Sequence, residues 1–304
     1  EALTVSGAVG FFGGTGSGEM VLNVNNVTTI DGGVTLATDA NISGLTLGGS
    51  GTLNLTADSS TTLTAPVTLA DTATLNVTGS IGGNVIVGGT NVLTGTGTIG
   101  GAVAGSGSVQ PGASPGILTV GQVDPSGGAS FVLEYTSALP DYTAATASLN
   151  DVIRVTDATP FSAAMTAANV VDMYLGVTSL SEGDSFQGGF FTDTPGNFAA
   201  SVTDATLNYY VLGDGNGTDS TLAGQGYYTF ANWKTATGAS PDLRMALSTV
   251  AATANFAGGS VSGQAMTVSA VPVPEPSTIG LAVTAAGLAS AALLRRRRRS
   301  GVAA

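Results

Sequence analysis

One short period governs most of this chain. Aliphatic residues sit at i and i+2 with Thr or Asn between them, as in Val21-Leu22-Asn23-Val24, Val34-Thr35-Leu36, Leu45-Thr46-Leu47 and Thr52-Leu53-Asn54-Leu55. The pattern returns at Val67-Thr68-Leu69, Thr74-Leu75-Asn76-Val77, Asn84-Val85-Ile86-Val87 and Ile117-Leu118-Thr119-Val120. That is the two-residue period of a strand with one buried face. Gly, Asp or Asn interrupts the runs about every 6 to 10 residues. Helical stripes are missing here. Many short, evenly spaced strands pack either as stacked rungs or as a sandwich. Stacked rungs fit better, because the turns are too short and glycine-rich for Greek-key crossovers. The inward residues are uniformly Val, Leu and Ile, which stack on their equivalents in the next rung. Aromatics, which a two-sheet core usually needs, are limited to Phe11 and Phe12 in residues 1–123. The expected fold is therefore all-β, a right-handed parallel β-helix or solenoid, with Asn and Thr ladders along its coils.

Composition shifts near Asp124-Pro125-Ser126-Gly127-Gly128, a turn-rich stretch. Residues 1–123 hold no Lys or Arg, and residues 72–123 no charge at all. From Phe131 onward aromatics are regular, among them Tyr135, Tyr174, Phe186, Phe190, Phe191 and Trp233. Residues 124–270 still read as β, with candidate strands at 130–135, 152–156, 170–177, 185–191, 206–212, 226–231, 243–250 and 265–270. A short helix is expected only within 158–169. This aromatic-richer region is either a run of further rungs carrying an inserted hairpin or a small sandwich that caps the solenoid. Some β-rich cap is physically required, because a bare solenoid end exposes core and a pairing edge.

Residues 271–304 form a third unit. Pro272-Val273-Pro274-Glu275-Pro276 precedes an uncharged apolar run, 278–294, and then Arg295, Arg296, Arg297, Arg298 and Arg299. Seventeen residues of helix span roughly 25 Å, the short end of what crosses a bilayer. Flanking arginines stay on the cytoplasmic side, so the body is expected on the other side of a transmembrane helix at 278–294. The chain opens at Glu1 without Met or a signal peptide, which implies a processed start or a fragment.

The order Pro274-Glu275-Pro276, apolar span, arginine cluster, chain end resembles the PEP-CTERM sorting signal of Gram-negative bacteria. Ser300 to Ala304 trail the arginines, a mild departure. The resemblance covers about a tenth of the chain. It implies recognition and tail removal by an exosortase, a membrane protease-transpeptidase, after transient anchoring in the inner membrane. The destination it implies is the cell surface or the extracellular matrix. A second resemblance lies in Gly95-Thr96-Gly97-Thr98-Ile99-Gly100-Gly101 and in residues 105–120, which include Gln110-Pro111-Gly112-Ala113-Ser114-Pro115-Gly116-Ile117-Leu118. These look like the last passenger rungs of autotransporter-type adhesins, although the sorting tail stands where a translocating barrel would be.

Charge and residue usage exclude several function classes. Cys and His are absent, which removes thiol chemistry, the commonest general base and the commonest transition-metal ligand. The formal charge is −12, but residues 1–274 carry only Arg154, Lys234 and Arg244 against nineteen acids, a net of −16. A body that acidic repels nucleic acid, so no nucleic-acid partner is expected.

Residues that could carry chemistry are few, and no catalytic residue is assigned. Asp214, Asn216 and Asp219 alternate in a glycine-rich loop, the kind of oxygen set calcium takes, although the pattern fails as an EF-hand and reads equally as a polar turn. No other cofactor is expected. Glu182 and Asp184 could pair as acid and base on one strand face, or simply form a solvated turn. Arg154, Lys234 and Arg244 are too scattered for a polysaccharide lyase and suit local ion pairs. Tyr209, Tyr210, Tyr227, Tyr228 and Trp233 fall on two candidate strands, where they either stack on sugar rings or fill the cap. The sequons at Asn26, Asn41, Asn54, Asn76 and Asn216 follow from a Thr-rich composition and carry no function. The expectation is an exported, non-enzymatic surface or matrix protein. The alternatives are a carbohydrate-binding module for exopolysaccharide and, behind it, a glycan-active β-helix enzyme.

Overall fold

A computed structural model describes residues 66–273 apart from 113–114, 138–149, 195–197, 203, 241 and 257–258, together with seven earlier strands between Leu3 and Leu55. The chain is all-β, as its periodicity requires. Two long sheets run side by side. One contains, in order of pairing, Leu3–Ser6, Thr28–Asp31, Thr52–Leu55, Thr74–Val77, Val92–Gly95, Ser108–Pro111, Ser130–Tyr135, Val170–Leu175 and Thr206–Val211. The other contains Gly18–Asn23, Ile42–Gly48, Val67–Leu69, Val85–Val87, Thr98–Gly105, Ile117–Asp124, Val152–Val155 and Ser185–Thr192. Through these strands the chain steps back and forth between the sheets, and every neighbour pair is parallel. Each step out and back makes one coil, and successive coils stack.

Register puts like on like. On the inner face of the first sheet, Leu53, Leu75, Leu93, Val109, Phe131 and Val171 lie in one column, each at most 4% exposed. Across the core, Ile81, Ile99, Val120 and Val155 form a second column, each at most 1% exposed. Burying one such side chain stabilises the fold by about 1.5–3 kcal/mol. The outer face carries the polar partners of the same alternation: Asn54, Asn76, Thr94 and Gln110 share one register row. There the Asn76 amide donates to the Asn54 carboxamide oxygen at 2.8 Å. Asn91, 2% exposed, holds a turn by donating to the carbonyls of Leu69 at 2.8 Å and Gly88 at 2.6 Å.

Coil length changes where the composition changes, but the sheets do not stop. Leu75 pairs with Leu93, eighteen residues on, whereas Ser130 pairs with Val170, forty residues on. The 3-10 turn Pro125–Gly127, capped by Asp124 accepting from Ser126 N–H at 3.1 Å, connects two strands of the same stack. Larger side chains fill the wider coils: Phe131, Phe190 and Phe161 meet edge to face at 5.1 and 5.4 Å.

After Thr206–Val211 the pairing turns antiparallel. Gln225–Thr229 pairs with Thr206–Val211 and with Ser220–Leu222. The hairpin of Leu243–Phe256 and Gly259–Pro272 closes the second sheet against Ser185–Thr192. Helix Phe230–Thr237 places Trp233, 2% exposed, in the core beside the last strands.

Two local expectations are corrected. Residues 158–169 form turns rather than a helix. Asn169 is fully buried and its side chain is spent on Thr166 N–H and the carbonyls of Pro125 and Ala129, which binds this loop to the preceding coil. The expected strand 226–231 ends at Thr229 and becomes the helix instead. Thr229 caps it, with its hydroxyl accepting from Asn232 N–H at 3.4 Å, and Gly238 ends it in a left-handed conformation. Among the described residues no helix is long and apolar enough to cross a membrane, and the span expected at 278–294 lies outside them.

Gly105 sets how closely two coils approach. Its φ is +111°, and a Cβ there would overlap the Val87 carbonyl of the coil before. Gly89 also has positive φ, +55°, but its Cβ would meet nothing within 4 Å. Gly105→Ala is expected to cost about 3 kcal/mol and Gly89→Ala about 1 kcal/mol in urea unfolding. Equal costs would show that the close approach at Gly105 does not matter.

Candidate functional site

The most unusual chemistry lies on the outer face of the first sheet, where alternation should leave side chains in water. Glu134, Tyr174 and Tyr210 share one row. Tyr174 and Tyr210 stack at 4.7 Å, 15° from parallel, and Tyr227 meets Tyr174 edge-on at 5.1 Å. The Tyr174 and Ser220 hydroxyls are hydrogen-bonded at 2.6 Å. The antiparallel return of the chain through residues 220–229 thus folds over the row. Glu134 is left 8% exposed, and its Oε2 has no hydrogen-bond partner among the described residues.

Asp151, 5% exposed, stands at the entry to strand Val152–Val155. Its Oδ1 accepts from Gly116 N–H at 2.7 Å and its Oδ2 from Glu134 N–H at 2.8 Å. One carboxylate therefore ties the first sheet to the coil of the second. Burial pushes its pKa up to about 7, against the lowering effect of those two N–H groups, and the Glu134 charge adds to the rise. Burial raises Glu134 as well. A carboxyl poised near neutrality is common at catalytic centres. Here both oxygens of Asp151 are occupied by main chain, so the group acts as a brace. Neither residue was legible as a candidate: in the sequence Glu134 reads as an ordinary outward strand residue, and nothing local announces the cover.

The loop residues expected as calcium ligands serve the loop itself. Asp214 Oδ1 accepts from Asn216 N–H and from the Tyr228 hydroxyl, each at 3.0 Å, and these bonds, led by Asn216, lower its pKa. Asp219 Oδ2 accepts from the Asn232 amide at 2.8 Å and from Thr229 N–H at 2.6 Å, at the start of the helix. Its pKa is lowered, the Thr229 bond being the largest cause. Among the described residues no three acidic side chains gather as a metal site.

The five aromatic candidates divide. Tyr227 and Trp233 are each 2% exposed, and Trp233 stacks on Phe230 at 5.9 Å. Tyr209 is inward, packed against the core, and burial raises its pKa to about 12. Tyr210 and Tyr228 are half-buried, the first against Tyr174 and the second hydrogen-bonded to Asp214. Asp184 closes its own turn by accepting from Ser181 N–H at 2.7 Å, while Glu182 is exposed. Arg154 forms a two-pronged pair with Asp193, at 2.9 and 2.6 Å, and covers the Phe256 ring at 4.3 Å. Lys234 lies over the Phe230 ring at 5.0 Å and donates to the Leu243 carbonyl at 3.0 Å, whereas Arg244 is exposed. Pro274, Glu275, Pro276 and Arg295 to Arg299 lie outside the described residues.

No family model, curated protein or solved structure matches the chain.

The buried carboxyls make stability depend on pH with a definite sign. Raised pKa values mean that the folded state holds protons that the unfolded chain releases, so stability falls as pH climbs from about 4 to about 7. The lowered groups, Asp124, Asp214 and Asp219, act in the opposite sense but only below about pH 4. The melting temperature is therefore expected to be higher at pH 5 than at pH 8, and Glu134→Gln to narrow the gap. A profile that rises toward pH 8 would contradict the assignment.

Proposed function

We propose that the chain is an exported, non-enzymatic structural protein of the cell surface or extracellular matrix, built on a right-handed β-solenoid and addressed by a C-terminal exosortase-type sorting signal. The observation that carries the reading is the repeated stepping of the chain between two long parallel sheets, from Leu3–Ser6 through Thr206–Val211 among the described strands. Stacked coils of this kind make a stiff body whose length follows from coil number. Right-handedness follows from the rule for parallel crossovers. Function in this reading is passive: an acidic rod that resists collapse and presents its aromatic end.

Two further observations support it over the alternatives. A glycan-stacking surface needs exposed, coplanar rings, and Tyr227 and Trp233 are each 2% exposed. Glycoside hydrolysis needs two carboxyls facing a common substrate. Asp184 and Asp214 are instead engaged with their own loops, and Asp219 with the start of the helix. The sorting role rests on the order Pro274-Glu275-Pro276, apolar run, arginine cluster. Its partners are an exosortase-type membrane protease-transpeptidase and, before processing, the inner membrane, with matrix exopolysaccharide as the surroundings.

Intact mass of the protein from native cells, separated into membrane and extracellular fractions, tests the proposal. The expected product is an extracellular species ending between Pro274 and Ser277. A full-length species held in the inner membrane would replace sorting with simple anchoring. Replacing Glu275 with Ala is expected to shift the protein to the membrane fraction.

A further inference from the structure

The second sheet ends on Leu243–Phe256, which among the described residues pairs with Gly259–Pro272 alone. The parity of its main chain can be read from three contacts. The Asp242 carbonyl accepts from Val273 N–H, so even-numbered groups face the hairpin partner. Leu243 N–H donates to the Ser240 carbonyl at 3.2 Å, and the Leu243 carbonyl accepts from Lys234 Nζ at 3.0 Å, so odd-numbered groups face away. Local groups thereby satisfy Leu243. The outward N–H and C=O groups of Met245, Leu247, Thr249, Ala251 and Thr253 meet no partner among the described residues.

Proteins ordinarily blunt such an edge with charge, proline or a bulge. This strand runs fourteen residues, its pairing with Gly259–Pro272 has no register shift, and Arg244 is its one charge. From Leu243 to Pro272 there is no acid, in a chain whose residues 1–274 carry a net charge of −16. Electrostatic repulsion between copies is therefore low along this edge.

We infer that Leu243–Phe256 pairs antiparallel with the same strand of a second copy, about a two-fold axis at Thr249. The odd-numbered outward groups permit this register: Met245 faces Thr253, Leu247 faces Ala251, and Thr249 faces its equivalent. Between them Ala246 faces Ala252 and Ser248 faces Val250. Cross-strand partners are small or apolar, and none is a like-charged pair. Arg244 faces Ala254, which puts the two guanidinium groups at opposite ends of the joint, roughly 33 Å apart. In-register parallel pairing would set Arg244 beside Arg244. The contact is isologous, so it closes as a dimer and joins two sheets into one.

Thr249→Pro tests the joint, because its N–H points outward and proline there removes no internal bond. The full chain in mild detergent, which separates this contact from association of the apolar tail, is expected to sediment as a dimer at tens of micromolar. Thr249→Pro is expected to weaken the dimer roughly tenfold or more at an unchanged melting temperature. Val250→Pro, whose N–H faces the hairpin, is expected to lower the melting temperature instead. The chain has no cysteine, so Thr249→Cys supplies an independent readout: mild oxidation is expected to cross-link one copy to the other. A monomeric wild type, a dimer indifferent to Thr249→Pro, or failure of Thr249→Cys to cross-link would overturn the inference. Stable capture of a foreign peptide by a monomeric chain would also overturn it.

Discussion

The structure depends on the in-register stacking of aliphatic side chains between parallel coils. A column such as Leu53, Leu75, Leu93 and Val109 works only if each coil returns its residues to the same place. Main-chain hydrogen bonds between coils hold that register, and a one-residue slip would turn every buried side chain outward. Tight glycine contacts, as at Gly105 against Val87, keep the coils close enough for the column to pack.

The same constraint explains how the aromatic region differs without leaving the stack. Longer excursions between paired strands, as between Ser130 and Val170, widen the coil and demand larger side chains. Phe131, Phe161 and Phe190 meet that demand by edge-to-face packing, and Trp233 fills the space beside the last strands. The excursions also carry polar braces. Asn169 and Asp151 each tie a loop to main chain of an earlier coil, with Asn169 bound to Pro125 and Asp151 to Gly116. An ionisable brace comes at a cost in stability once it is charged, which is why the fold should be firmest in mild acid.

A stack of parallel coils also has ends, and an end leaves main-chain groups unpaired. In this chain the terminal hairpin covers Ser185–Thr192 and thereby transfers the open edge to Leu243–Phe256. Lys234 closes one end of that edge at Leu243. The remainder is what the inferred self-pairing would use, in a chain proposed to work as a structural element outside the cell.

Much of the fold was legible in the sequence, because strand period, glycine spacing and uniform aliphatics are local signals. Strands Thr52–Leu55, Val67–Leu69, Thr74–Val77 and Ser130–Tyr135 fall where alternation puts them. The helix did not, because Tyr227-Tyr228-Thr229-Phe230 has strand propensity throughout and only the Thr229 cap and the Asp219 carboxylate break it. Glu134 and Asp151 were invisible for a related reason: their burial depends on segments distant in sequence, the 220–229 return and Gly116. The sequence by itself determined the all-β class, the alternation of core and surface, and the acidity of the body, since each follows from residue type and two-residue spacing. Tertiary structure alone decided which outward residues are covered, which carboxyls have raised pKa values, and which described strand is left with an open edge. Those depend on how chain distant in sequence folds back over the stack.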